Sequence, residues 1–114
     1  THEVFILLRN LIGNAIAYTP AGGRIDISLE RTPQAARLIV SDTGPGIAEA
    51  ERERVLQPFY RVLGSDAAGS GLGLAIVQSI TQRMGAALRL DWADAEQRTG
   101  LRVQVDFPNF TINK

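Results

Sequence analysis

The sequence predicts an α+β domain built as a two-layer sandwich, with a sheet packed on helices. The prediction rests on three observations. Two segments carry apolar residues at helical spacing, other segments alternate or run apolar like strands, and their order is helix, strands, helix, hairpin. That order lacks the regular strand-helix alternation of a doubly wound parallel sheet. With 114 residues, 45% of them hydrophobic, the chain is sized for one domain with one core.

The first helix is read over residues 4–18, where Val4, Leu8, Leu11 and Ala15, with Phe5 and Ile12, recur at a spacing that gives a wide buried face. Thr19-Pro20-Ala21-Gly22-Gly23 stops it, because proline cannot continue a helix and paired glycines favour a turn. Ile25, Ile27 and Leu29 then alternate with Asp26, Ser28 and Glu30, the period of a strand with one wet face. After a Thr32-Pro33 turn, Leu38-Ile39-Val40 reads as a more buried strand ending at Asp42-Thr43-Gly44-Pro45-Gly46. A short charged helix is expected over 49–56, followed by Pro58-Phe59-Tyr60-Arg61 and a small-residue loop over 64–70. Helical spacing returns from Gly71 to Met84, with Gly85 as the C-cap. Residues 87–92 and 101–107 read as two strands joined by a polar turn, and 109–114 as a tail after a domain spanning 1–108.

Composition narrows the function. Twelve basic residues balance twelve acidic ones, so no bulk field attracts nucleic acid or anionic lipid, and neither is expected as a partner. The absence of cysteine excludes disulfide frameworks and thiolate metal sites and suits a reducing cytoplasm. No apolar run approaches the ~20 residues of a membrane helix. The abrupt start in helix-like sequence suggests a piece of a longer polypeptide.

Three clusters of residues have the chemistry of a nucleotide site. Asn10 and Asn14, four apart, project from one helix face, with Ala17 and Tyr18 continuing near it. Their carboxamide oxygens suit a hard Mg2+ ion shared with phosphates, although paired asparagines are equally ordinary helix-surface residues. At a strand end, the Asp42 carboxylate is suited to accept a hydrogen bond from an adenine amino group, with Gly44 and Gly46 letting the base approach the backbone; an aspartate before a glycine turn is also common loop chemistry. Gly69-Ser70-Gly71-Leu72-Gly73 runs into the second long helix, aiming free amides and the positive dipole end at an anion such as triphosphate, unless these are simply loop and packing glycines. The run is neither a dinucleotide fingerprint, which wants its third glycine at Leu74, nor a Walker loop, which needs a lysine.

In this order, the clusters resemble the N box (Asn10 to Asn14), G1 box (Asp42 to Gly46) and G2 box (Gly69 to Gly73) of the GHKL ATP-binding superfamily. Phe59-Tyr60-Arg61 falls where histidine kinases carry an F box, and Gly100 and Pro108 sit like the glycine-to-proline strand that closes kinase catalytic domains. The resemblance covers almost all of residues 3–108. It implies a mixed, mostly antiparallel sheet on about three helices, a flexible ATP lid between the F and G2 boxes, and the ATP-binding catalytic domain of a bacterial two-component sensor histidine kinase.

Carried over to matching positions, the resemblance makes Asn14 the principal Mg2+ ligand, with Asn10 assisting. Asp42 would read the adenine amino group, Gly44, Gly46 and Ile47 would shape the base pocket, and Tyr18 and Phe59 would flank the nucleotide. Gly69, Ser70, Gly71, Leu72 and Gly73 would wrap the phosphates, and Arg61 would contact the terminal one. Two departures stand out: Ala17, where many histidine kinases carry a basic residue reaching the phosphates, and Met84-Gly85-Ala86 in place of the usual His-Gly-Gly. Superfamily members that hydrolyse ATP usually place a glutamate at position 10. Asn10 has no useful proton affinity to activate water, which favours a kinase. The phosphoacceptor is expected elsewhere, because His2 is the only histidine and its surroundings do not resemble a phosphoacceptor motif. The implied partners are an upstream dimerisation domain, a response regulator and a second copy of the parent, itself anchored in the bacterial inner membrane with this domain in the cytoplasm and not touching lipid. The alternatives are a serine kinase of the anti-sigma-factor type, disfavoured by the F box, and a nucleotide-responsive interaction module without phosphotransfer, which Ala17 keeps open.

Overall fold

In a computed structural model, residues 2–57 and 73–108 are described. The expected lid (64–70), Phe59, Arg61, most of the G2 box and the tail lie outside these residues. Helix α1 spans His2–Tyr18, strand β1 Ile25–Arg31, β2 Ala35–Asp42, helix α2 Gly73–Met84, β3 Ala87–Asp94 and β4 Thr99–Pro108. The strands form one sheet in the order β1-β2-β4-β3. Every pairing in it is antiparallel, so among the described residues the sheet is not mixed.

Both helices pack on one face of the sheet. Leu7, Leu11 and Ala15 of α1 and Leu74, Val77 and Ile80 of α2 meet Leu38 and Val40 of β2 and Val103 and Val105 of β4. The α1 contact is thus centred on Leu7-Leu11-Ala15, whereas Phe5 remains 62% exposed. The physical reason is that α1 is apolar almost all round, so its spacing does not select a face; α2 and the sheet do. The Arg83–Glu3 ion pair, 3.0 Å, joins the end of α2 to the start of α1, so the helices run antiparallel and the first turn of α2 lies beside the second half of α1.

Two elements depart from the sequence expectation. Residues 49–56 form no continuous helix but two short 3-10 turns, Glu49–Glu51 and Arg54–Leu56. The segment buries Val55 but nothing in its first turn, so no long apolar stripe supports an α-helix there. Strand β1 is exposed along both faces after Ile25, with Ile27 50% and Leu29 58% exposed. Those side chains share the face of Val40 and Leu38, but β1 is the sheet edge and the helices cover the middle strands instead.

The Gly85 cap is as expected: φ is +69°, its N–H donates to the Gln82 carbonyl, and the Ala86 N–H reaches back to the Thr81 carbonyl at 2.8 Å. On the open sheet face, Arg37 donates to Asp106 at 2.7 Å, and Gln104 donates to the other oxygen of the same carboxylate at 3.0 Å. Burial pushes the Asp106 carboxyl up, but the hydrogen bonds from Arg37 and Gln104 and the charges of Arg37 and Arg89 outweigh it and hold it below its ordinary value.

Candidate functional site

The site is assembled where the end of α1, the end of β2 and the start of α2 converge. Asp42 is the last residue of β2 and only 4% exposed. Its Oδ1 accepts two backbone hydrogen bonds, from the Gly44 N–H at 2.9 Å and the Leu101 N–H at 3.1 Å. Both fall on one oxygen, which leaves Oδ2 without a hydrogen-bond partner among the described residues. A buried carboxylate fixed through one oxygen is a preorganised acceptor for a ligand N–H at the other.

The backbone around this carboxylate is packed too closely for side chains. A Cβ at Gly44 would collide with the Tyr18 carbonyl oxygen at the end of α1, and one at Gly100 with the Asp42 carbonyl oxygen. Gly100 also has φ +72°, and its N–H donates to the Gly44 carbonyl at 2.6 Å. Gly46, φ +80°, faces Trp92, whose Cζ3 would lie 2.6 Å from an added Cβ. The glycines at 44 and 46 are therefore required by close approach and by left-handed backbone, respectively. The neighbouring Ile47 is buried in the core.

Asn10 and Asn14 are both half-buried on α1. Asn10 donates its side-chain N–H to the Ile6 carbonyl one turn back at 2.9 Å, leaving its amide oxygen as the available ligand. Asn14 Oδ1 lies 3.7 Å from where a Cβ of Gly73 would stand, and the Asn10 carbonyl oxygen 3.9 Å from the same point. Thus Gly73, which opens α2, lies beside the part of α1 that carries Asn10 and Asn14. Ala17 and Tyr18 follow on the same helix, both half-buried. Among the described residues no group of three or more His, Cys, Asp or Glu is placed to hold a metal. A cation here would be held by amide oxygens together with water and phosphate, a donor set that fits a hard ion such as Mg2+.

Several contributors were not singled out from the sequence. The Leu101 N–H reaches Asp42 across 59 residues of chain, a pairing without a local signal. Arg52 and Trp92 gave none either, since an isolated arginine in a charged segment and a lone strand tryptophan are unremarkable alone. Phe59, Arg61, Gly69, Ser70, Gly71 and Leu72 lie outside the described residues. No helix among the described residues is long and apolar enough to cross a membrane.

Residues 2–111 match the family described as histidine kinase-, DNA gyrase B- and HSP90-like ATPases. Among curated relatives, the signal transduction histidine-protein kinase/phosphatase MprB of Mycobacterium sp. (strain KMS) is 50% identical over 84 residues, 72% of this chain and 16% of that protein. The sensor histidine kinase RppB of Synechocystis is 45% identical over 113 residues, 96% of this chain and 24% of RppB. The chain therefore spans between 16% and 24% of the length of these two relatives. Among solved structures, a mycobacterial sensor histidine kinase MprB superposes with a TM-score of 0.86 at 36% identity, over 97% of this chain and 75% of that one. Full-length ShkA in complex with AMPPNP superposes with a TM-score of 0.79 at 29% identity, over 98% of this chain and 22% of ShkA. With these sensor kinases as its relatives in sequence and in fold, the chain belongs to the histidine kinase-, DNA gyrase B- and HSP90-like ATPase family, as a catalytic domain of the histidine kinase type.

Proposed function

We propose that this chain binds Mg-ATP between α1, the β2 end and the start of α2, and presents the γ-phosphate to a histidine on a separate dimerisation domain. The observation that carries the reading is Asp42: buried, held through Oδ1 by two backbone N–H groups, with Oδ2 open to an adenine amino group. The AMPPNP in the ShkA complex and the sensor-kinase relatives support the same reading.

In this reading each residue has one task. Asp42 orients the base, and Gly44 and Gly46 admit it against the backbone, with Ile47, Tyr18 and Phe59 around it. Asn14, assisted by Asn10, offers amide oxygens to Mg2+. That ion, when bound, neutralises phosphate charge. The Gly69-to-Gly73 turn, with Ser70, Gly71 and Leu72, directs N–H groups and the α2 dipole at the phosphates, and Arg61 meets the terminal one. Because Asn10 is no base for water, the phosphoryl group is kept for an incoming imidazole, and transfer relies on positioning and charge stabilisation. A response regulator then accepts the phosphate. The parent is a homodimer anchored in the inner membrane, with this domain in the cytoplasm.

The test is incubation of the chain with γ-labelled ATP and a separately supplied cognate dimerisation domain. Acid-labile, base-stable label on that domain is expected. Tight ATP binding without transfer would favour a nucleotide-responsive interaction module, the alternative that Ala17 keeps open.

A further inference from the structure

We propose that Arg52 and Trp92 form a clamp behind the base-recognition loop, making both positioning residues for adenine binding; this rests on the reading of Asp42 as the adenine acceptor. Arg52 lies just after the first 3-10 turn, and its side chain is only 16% exposed. Its Nε–H donates to the Ile47 carbonyl at 3.1 Å, its guanidinium stands 5.3 Å over the Trp92 ring, and Nη1 is 3.9 Å from Asp91 Oδ1. Trp92 in turn is packed against Gly46, where no Cβ would fit.

The loop from Asp42 to Ile47 is thus gripped at both ends. Gly100 and Leu101 of β4 hold Asp42 and Gly44, while Trp92 and Arg52 hold Gly46 and Ile47. For stability alone an apolar side chain would serve the Arg52 niche as well, because Nη2 is buried without a partner and an incompletely paired guanidinium carries a desolvation penalty. What arginine adds is direction. Only a donor stacked on the ring fixes the Ile47 carbonyl, and with it the Ile47–Ala48 peptide that closes the loop, in one orientation. A base pocket preset in this way avoids an ordering cost on binding.

Trp92 is the single tryptophan, so the clamp carries its own reporter. The experiment measures Mg-ATP and Mg-ADP affinity by calorimetry, well below each variant's melting temperature, with Trp92 emission followed in parallel. Arg52→Met is expected to stay folded and bind both nucleotides about tenfold more weakly, leaving their ratio unchanged because the clamp acts on the base end. Arg52→Lys should regain part of the loss, since an ammonium can face the ring or the Ile47 carbonyl but not span both. In the unsubstituted chain, emission should change on saturation with Mg-ATP. A folded Arg52→Met with undiminished affinity overturns the clamp, as does constant emission while calorimetry registers binding. Should Arg52→Met not fold, Arg52→Lys and the emission of the unsubstituted chain decide between the same outcomes. No ATP binding by the unsubstituted chain would overturn the proposed function itself, a distinct result.

Discussion

Replacing Asp42 by asparagine separates the two duties of its carboxylate. Oδ1 accepts hydrogen bonds from Gly44 and Leu101 at 2.9 and 3.1 Å, and an asparagine oxygen can accept both. Hydrogen bonds to a charged group contribute about 1.5–3 kcal/mol and neutral ones about 0.5–1.5, so the exchange costs roughly 2–3 kcal/mol over the pair. For a domain of this size that is a melting-temperature drop of about 8–13 °C. Asp42→Ala instead leaves two buried N–H groups without an acceptor and should cost more, about 2–6 kcal/mol. At Oδ2 the exchange is of another kind: an amide NH2 faces the adenine amino group, donor against donor. Losing one charge-assisted bond there weakens ATP binding by roughly 10- to 150-fold. Guanine, which presents an acceptor at that position, should gain relative to adenine. Calorimetric titration with ATP and GTP, beside thermal melts of both variants, gives every quantity. Retained adenine preference in a folded Asp42→Asn chain would refute the base-reading role. An Asp42→Ala chain no less stable than Asp42→Asn would refute the anchoring role of Oδ1.

Three further outcomes follow from the same geometry. Asn14→Ala should abolish most of the Mg2+ dependence of ATP affinity while leaving metal-free binding within about twofold; titrations that separate with and without chelator in the unsubstituted chain but nearly coincide in the variant are the expected sign, and unchanged Mg2+ dependence contradicts the N-box assignment. Gly44→Ala forces a Cβ onto the Tyr18 carbonyl oxygen, with the carbonyl carbon 3.2 Å away, so the urea midpoint should fall by the equivalent of about 1–3 kcal/mol, and an unmoved midpoint would show that the α1 end yields freely. Asp106 carries an acid-dependent share of stability. Its folded-state carboxyl titrates below the ordinary 3.8, so the contribution is fully present above that value and fades as pH falls through the lower folded one. Asp106→Asn should therefore melt lower than the unsubstituted chain at neutral pH and converge with it in acid. The side chains of Arg37 and Asp106 are 47% and 36% exposed, so the gap should stay within about 1 kcal/mol, and a gap that widens in acid would reverse the sign of the linkage.

What the sequence made legible is what local rules encode. The helix at α1 with Asn10 and Asn14 one turn apart, the strand ending at Asp42, and the glycine opening α2 are all set by periodicity and turn chemistry within a few residues. Their convergence was readable only through the resemblance of the ordered motifs to a known superfamily. The rest depends on contacts distant in the chain. That Leu101 would hold Asp42, or that Arg52 would stack on Trp92, follows from β4 and β3 lying where they do in the sheet. The continuous helix expected over 49–56 gave way to two short turns, with Arg52 just after the first. Ile27 and Leu29 carry the pattern of a half-buried strand, yet edge position, which no alternation reveals, leaves them in solvent.

The crowding of Gly44 and Gly100 against backbone oxygens has a consequence at the level of the cell. Because the atoms that fix Asp42 also join α1, β2 and β4, a missense change at either glycine lowers the folded fraction before it touches ligand affinity. Such alleles should present as scarce protein under rapid proteolytic turnover, not as abundant protein that is silent. A nucleotide that binds only the folded form raises that fraction by mass action, so starvation for ATP and a lesion at either glycine should deepen each other.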